Sequence, residues 1–259
     1  MEPLLRDRWN RNAEAYAELI AGTGTPYHQS ILLPAIERLV GEVMGIRILD
    51  AGCGEGYLSR LFARRGAIVT GVDVSEKLVE ISRVVAQQEN VSVSFSVGDV
   101  CDLRDFADSS FDVVLSNLVL LNIPCLQRAL AEFYRVLRPG GIVVFSIVHP
   151  AFNFYGPGRW ELGERNHKTG RRVGKCFIVD KYFDERPYER FWKRRGGERF
   201  PEPITFYHRT ITPYFAASRE AGFQVDTIEE PQPMNDDPFF ERERRIPMFM
   251  VFRLRKPET

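Results

Sequence analysis

The segment Leu49-Asp50-Ala51-Gly52-Cys53-Gly54-Glu55-Gly56-Tyr57 constrains this chain more than any other. It joins a short apolar run at 46–50 (IRILD) to an amphipathic stretch at 57–65, with Leu58, Leu61 and Phe62 on one face. Glycines at 52, 54 and 56 let the backbone turn tightly and let a ligand approach it closely. Strand, glycine turn and helix in that order open a β-α-β unit. In an open parallel sheet, ligands bind beyond the carboxyl ends of the strands.

The alternation continues. Residues 68–73 (IVTGVD) read as a second strand. Ser75 reads as the N-cap of a helix carrying Leu78, Ile81, Val84 and Val85. Residues 91–97 alternate as a strand does, and 111–116 (FDVVLS) form a fourth. A helix over 126–137 buries Leu126, Ala129, Leu130, Phe133 and Leu137, and Pro139-Gly140-Gly141 stops it. Residues 142–148 (IVVFSIV) are nearly all apolar, as a parallel strand covered on both faces requires. Right-handed crossovers then place helices on both faces.

The pattern breaks after His149-Pro150. Residues 151–209 are rich in Gly, Pro, aromatics and basic residues. Regularity returns at Thr212-Pro213, read as N-cap and first helical position of a helix ending at Gly222. Strands follow at 223–228 and 248–254, and residues 4–20 and 28–43 read as two helices before the sheet. The expected fold is α/β, a Rossmann-like seven-stranded, mostly parallel sheet with helices on both faces, an N-terminal helical cap and an insertion after strand five. The whole chain, 1–259, reads as one domain. It divides into a cap (1–44), a cofactor-binding core (45–150), a substrate lid (151–210) and a C-terminal helix with the last two strands (211–259).

Composition narrows the function. An apolar fraction of 44% with 19 Phe supplies a large core and excludes global disorder. Lys+Arg and Asp+Glu both total 35, which argues against a dedicated nucleic-acid or membrane-surface binder. No apolar run is long enough for a membrane span, and the first residues lack the apolar core of a signal peptide. Cys53, Cys101, Cys125 and Cys176 form no C-x-x-C pair, so reduced thiols in a cytoplasmic protein are expected, with no zinc site. Charge is uneven: residues 151–210 hold 14 Lys+Arg against 8 Asp+Glu. A basic lid attracts an anionic substrate, and its aromatics, Tyr155, Trp192 and Phe206 among them, can stack a planar one.

A dinucleotide fingerprint, G-x-G-x-x-G, would need its third glycine at position 57, where Tyr57 stands. The order of motifs instead resembles the class I S-adenosylmethionine-dependent methyltransferases, in particular the small-molecule group of ubiquinone-biosynthesis type (methyltransferase type 11). The motifs are Asp50 to Gly56, Gly71 to Glu80 (GVDVSEKLVE), Gly98-Asp99-Val100, Phe111 to Pro124 (FDVVLSNLVLLNIP) and Leu137 to Gly141 (LRPGG). The likeness covers roughly residues 46–148 and implies S-adenosylmethionine as cofactor. It implies that Gly52, Cys53 and Gly54 line the methionine part through their backbone, next to Asp50. It assigns the ribose to Asp73, with Val74 near the adenine, and the adenine edge to Asp99 and Val100. Asn117 and Leu118 fall beside the sulfonium. Tyr16 resembles the aromatic that closes over the cofactor.

The resemblance leaves the acceptor open. His149 follows the fifth strand on the side where chemistry occurs, and a neutral imidazole can act as a base near pH 7. Tyr207 and His208 end the insertion and can return to the same pocket. Tyr27 and His28 open the second helix and are weighed as a further pair. His149 also has a bland reading, a loop histidine bonded to backbone, and Tyr207 and His208 one of helix-entry packing. The expected activity is methyl transfer to O, N or C of a small molecule, anionic or aromatic, by a monomer or homodimer, with nucleic acid disfavoured. An RNA-modifying enzyme on the same fold and a non-catalytic S-adenosylmethionine-binding protein remain as alternatives.

Overall fold

The computed structural model describes residues 3–258. The chain starts with α1 (Pro3–Ile20), a π-turn at His28–Leu32 and α2 (Leu33–Val40). The core runs β1 (Arg47–Ala51), α3 (Tyr57–Arg64), β2 (Ile68–Asp73), α4 (Glu76–Gln88), β3 (Ser94–Val97), β4 (Phe111–Asn117), α5 (Leu126–Val136) and β5 (Leu137–Val148). Two hairpins follow, β6 (Gly158–Arg165) with β7 (Arg172–Val179), and β8 (Pro187–Arg190) with β9 (Ile204–Tyr207). Then come α6 (Ile211–Glu220), β10 (Gln224–Glu229) and β11 (Phe249–Arg255). Among the described residues no helix is long and apolar enough to cross a membrane.

The main sheet has the order β10-β11-β5-β4-β1-β2-β3. β11 is antiparallel to both of its neighbours, and the other pairings are parallel. From β1 the chain moves outward through β2 to β3, then returns to the other side for β4 and β5. Right-handed crossovers therefore set α3 and α4 on the face opposite α5. The direction of winding reverses between β1 and β4, and a crevice opens there at the carboxyl ends. The central strands are buried along almost their whole length, which matches their unbroken apolar runs.

Several boundaries differ from expectation. The strand read from residue 142 begins at Leu137, because Leu137 pairs with Phe111 across a register shift and Gly140 N–H donates to Lys256 O. Pro139-Gly140-Gly141 thus bends a strand after α5 has already ended. The second helical run covers 26–40 rather than 28–43. α6 starts at Ile211 with Thr210 as N-cap, ahead of Thr212-Pro213. The Glu185 carboxylate fixes that start by accepting from both Thr210 N–H and Oγ1 at 2.8 Å. Reduced thiols at all four cysteines are also corrected: Cys101 and Cys125 form a disulfide. Their separation of 24 residues hides the fact that the segment after β3 and the one before α5 run side by side. Cys53 and Cys176 are free.

Candidate active site

The crevice is built on the glycine turn. Gly52, Gly54 and Gly56 have φ of +83°, +58° and +82°, the left-handed region that side chains avoid. The N–H groups of Gly52 and Cys53 both donate to Val72 O, which locks the turn onto the end of β2. Asp73 closes β2 and is held from two sides: Gly54 N–H donates to Oδ2 and Ser75 N–H to Oδ1, each at 2.9 Å. Burial pushes the Asp73 carboxyl up, and these backbone donors oppose the shift. Ser75 Oγ caps α4 at Leu78 N–H and also donates to Asn10 Oδ1, which pins α1 beside the crevice.

α1 carries Tyr16 over the turn. A Cβ added at Gly54 would lie 3.0 Å from Tyr16 Cε1, and one at Gly52 would lie 2.4 Å from a Val119 methyl. Only glycine lets the segment after β4 and the Tyr16 ring close on this backbone. Leu118 itself sits at φ +58°, and its N–H donates to both O and Oγ of Ser146 on β5. Ser146 Oγ in turn donates to Asn117 Oδ1 at 2.6 Å. One polar side chain inside an apolar strand therefore sets a strained, functional-looking turn. Sequence reasoning missed Ser146, although its lone hydroxyl in IVVFSIV is a visible signal.

The pocket at this crevice is lined by Gly52, Gly54, Asp73, Val74, Gly98, Val100, Asn117, Leu118 and Tyr16, with Trp9 and Val119 beside them. Three expected residues stand behind its wall. Asp50 is buried and accepts from Ser59 Oγ at 2.5 Å, and burial pushes its pKa up to about 7. The Cys53 side chain packs with Val79, Ala86 and Phe95, and burial raises its thiol well above the usual range. The Asp99 carboxylate turns to accept from Cys101 N–H at 2.9 Å. Asp99 and the Cys101 and Cys125 sulfurs lie within 4.8 Å of one another, but the sulfurs are bonded to each other.

A second cavity of about 810 Å³ adjoins the first and shares Trp9, Tyr16, Leu118 and Asn122 with it. The insertion supplies Tyr155, Trp192 and Phe206, which form a connected aromatic cluster, and Trp192 stacks on Tyr16 with ring centroids 6.3 Å apart. Lys193 and Arg195 also line this cavity, and both are exposed.

The structure does not bring His149, His208 or Tyr207 into this cavity. His149 Nδ1 accepts from Ala151 N–H, and Nε2 lies 2.8 Å from Glu230, the residue after β10, so both nitrogens are taken. His208 Nε2 bonds Tyr182 O, and His208 and Tyr207 line a separate crevice of about 10 Å³ behind the insertion. The histidine that does line the large cavity is His28, with Tyr27 next to it. Burial lowers the His28 pKa to about 4, so the ring is neutral.

Fold and crevice together define an α/β protein with a ligand-sized crevice at the switch point of its sheet. Residues 49–145 match the family described as a methyltransferase domain. That match places a methyltransferase domain in the core of the chain, from β1 to β5. It is 32% identical over 154 residues to a ubiquinone biosynthesis O-methyltransferase of Coxiella burnetii, covering 59% of this chain and 61% of that protein. The chain thus aligns with about three fifths of the length of that curated relative. A crystal structure of an S-adenosylmethionine-dependent methyltransferase from Mesorhizobium loti superposes with TM-score 0.68 at 28% identity, covering 86% of this chain and 96% of that one. A Listeria monocytogenes structure described as the same kind of enzyme gives 0.70 at 27% identity, with 92% and 99% coverage.

The cofactor of this family, S-adenosylmethionine, suits the residues present. A carboxylate at the end of β2 is the chemistry a ribose diol would need, and the left-handed glycines leave a cradle that a Cβ would fill.

Proposed function

We propose that the chain transfers a methyl group from S-adenosylmethionine to a small-molecule acceptor held in the 810 Å³ cavity. The observation that carries the reading is the continuity of that cavity with the cofactor crevice through Trp9, Tyr16, Leu118 and Asn122. Its volume falls within the range of roughly 300–1,000 Å³ usual for small-molecule sites. When bound, the cofactor supplies an electrophilic methyl on a sulfonium. The protein's work is then alignment and exclusion of water.

In this reading the backbone of Gly52, Cys53 and Gly54 cradles the methionine portion, and Asp50 supports the turn from beneath. Asp73 holds the ribose, Val74 packs near the adenine, and Val100 borders its edge, with Asp99 behind the wall rather than on it. Asn117 and Leu118 stand beside the sulfonium, with Tyr16 closing over it. The aromatic cluster of the insertion favours a flat, apolar acceptor body, and Lys193 and Arg195 favour an anionic group on it.

Calorimetry with S-adenosylmethionine and S-adenosylhomocysteine tests the cofactor half, with Asp73→Ala alongside. Micromolar binding is expected for both ligands. Loss of two hydrogen bonds to a charged group, about 2 kcal/mol or more in total, weakens the variant at least 30-fold. A folded wild type that binds neither ligand refutes the reading.

A further inference from the structure

The large cavity is unusual in what it lacks. Among the described residues no carboxylate lines it. Its titratable groups are Tyr16, Tyr27, His28, Tyr155, Lys193 and Arg195. The three phenols are held protonated: burial raises all three, Tyr27 to about 12 with help from Glu243. Lys193 and Arg195 are cations, and among the described residues neither has an ion-pair partner.

His28 is the remaining candidate base, and its tautomer disqualifies it. Residues 26–40 are helical and Thr25 precedes them. Thr25 N–H donates to His28 Nδ1 at 3.2 Å, and Thr25 Oγ1 lies 2.8 Å from the same nitrogen. A nitrogen that accepts a backbone N–H carries no proton, so in the neutral ring the hydrogen sits on Nε2. His28 thus takes the place that Glu or Gln holds in a capping box. Toward the cavity it is a donor. Tyr27 Oη donates to Glu243 Oε1, but Arg171 pairs with both oxygens of that carboxylate and so disfavours its taking a proton through Tyr27.

We propose that the acceptor arrives with its attacking atom already anionic, as a carboxylate, and that His28 Nε2–H donates to it. This deepens the methyltransferase reading and rests on it. An oxygen–methyl bond forms as the sulfur–methyl bond breaks, and the electron pair returns to sulfur. The carboxylate and sulfonium charges vanish together, giving a methyl ester and a thioether. No proton leaves, so the site needs no base. Two opposite charges that disappear during reaction also explain an apolar cavity, which solvates the charged reactants worse than the spread-out transition state.

Two measurements test this on the full chain. Nitrogen-15 NMR of His28 between pH 5 and 8 is expected to show a bare Nδ1 and a protonated Nε2 throughout. A proton on Nδ1, or titration near 6.5, overturns the proposal whether or not the cofactor binds. Transfer from methyl-tritiated S-adenosylmethionine is then measured with 3-phenylpropanoate, 3-phenylpropanol, 3-phenylpropylamine and 4-ethylphenol. Label is expected only from the carboxylate, released as methanol by alkali, at a rate flat from pH 6 to 9. His28→Gln, which keeps both cap and donor, is expected to lose less kcat/KM than His28→Glu. His28→Glu keeps the cap but not the donor and is expected to lose at least tenfold in kcat/KM, with S-adenosylhomocysteine binding unchanged. Label in an alkali-stable product, or none from the carboxylate while S-adenosylhomocysteine binds, overturns the proposal. Failure of S-adenosylhomocysteine to bind overturns the methyltransferase reading instead.

Discussion

Arg60 offers the sharpest test of how the glycine turn is held. Its side chain has no exposure to solvent, and Glu55 within the turn is only 3% exposed. Arg60 donates to Glu55 O at 2.5 Å and to Glu55 Oε2 at 2.9 Å, and its Nε lies 2.7 Å from Glu89 Oε2. Arg60→Met keeps most of the volume but strands the Glu55 carboxylate, whose Oε1 already lacks a partner. Breaking one side of a buried ion pair costs about 3–5 kcal/mol. At roughly 2–3 °C per kcal/mol for a chain of this size, that is a drop of about 6–15 °C in melting temperature. Glu89 adds little to the cost, since it is partly solvated and keeps Arg64. Pairing Arg60→Met with Glu55→Gln removes both charges, and the double variant should return to within about 1–2 kcal/mol of wild type. Urea titrations of the four proteins, followed by circular dichroism, give the coupling. Additive effects, or an Arg60→Met cost under about 1 kcal/mol, would refute the view that this pair supports the turn.

Three further outcomes follow from the same structure. Gly54→Ala puts a side chain at φ +58° and 3.0 Å from Tyr16, so about 1–2 kcal/mol of stability and at least tenfold in S-adenosylhomocysteine affinity should be lost, read by melting and calorimetry. Asp50, at about 7, is raised above its unfolded value, so its protonated form stabilises the fold below pH 4 and that gain is lost as pH rises through 7. The stability gap between Asp50→Asn and wild type should therefore widen by about 2–3 kcal/mol from pH 5 to 8, and a constant gap in denaturant titrations contradicts this. Lys193→Ala with Arg195→Ala should raise KM for an anionic acceptor and flatten its salt dependence, while kcat and cofactor affinity hold in steady-state assays.

The core was legible because its signals are local. β2 spans the residues expected from its apolar run, and Ser75 caps α4 as its position before Leu78 suggests. The insertion was not. β6 and β7 expose most of their side chains on both faces, so no two-residue period marks them. The histidines failed for another reason. His149 stands at the right end of β5, but its partner Glu230 comes from 81 residues away and turns it from the cavity. For His28, Thr25 three residues earlier was the available cue to how its ring is held. The cysteine pair likewise depended on two loops meeting in space.

Tyr16 lies against Gly54 on one side and Trp192 on the other, and it borders both cavities. A ring shared in this way is a thermodynamic coupling element. On the proposed reading, a shift of this ring on cofactor binding changes the free energy of placing an acceptor beside Trp192, and by reciprocity the acceptor changes cofactor affinity by the same factor. A change at Tyr16 on α1 is therefore expected to alter cofactor and acceptor affinity together.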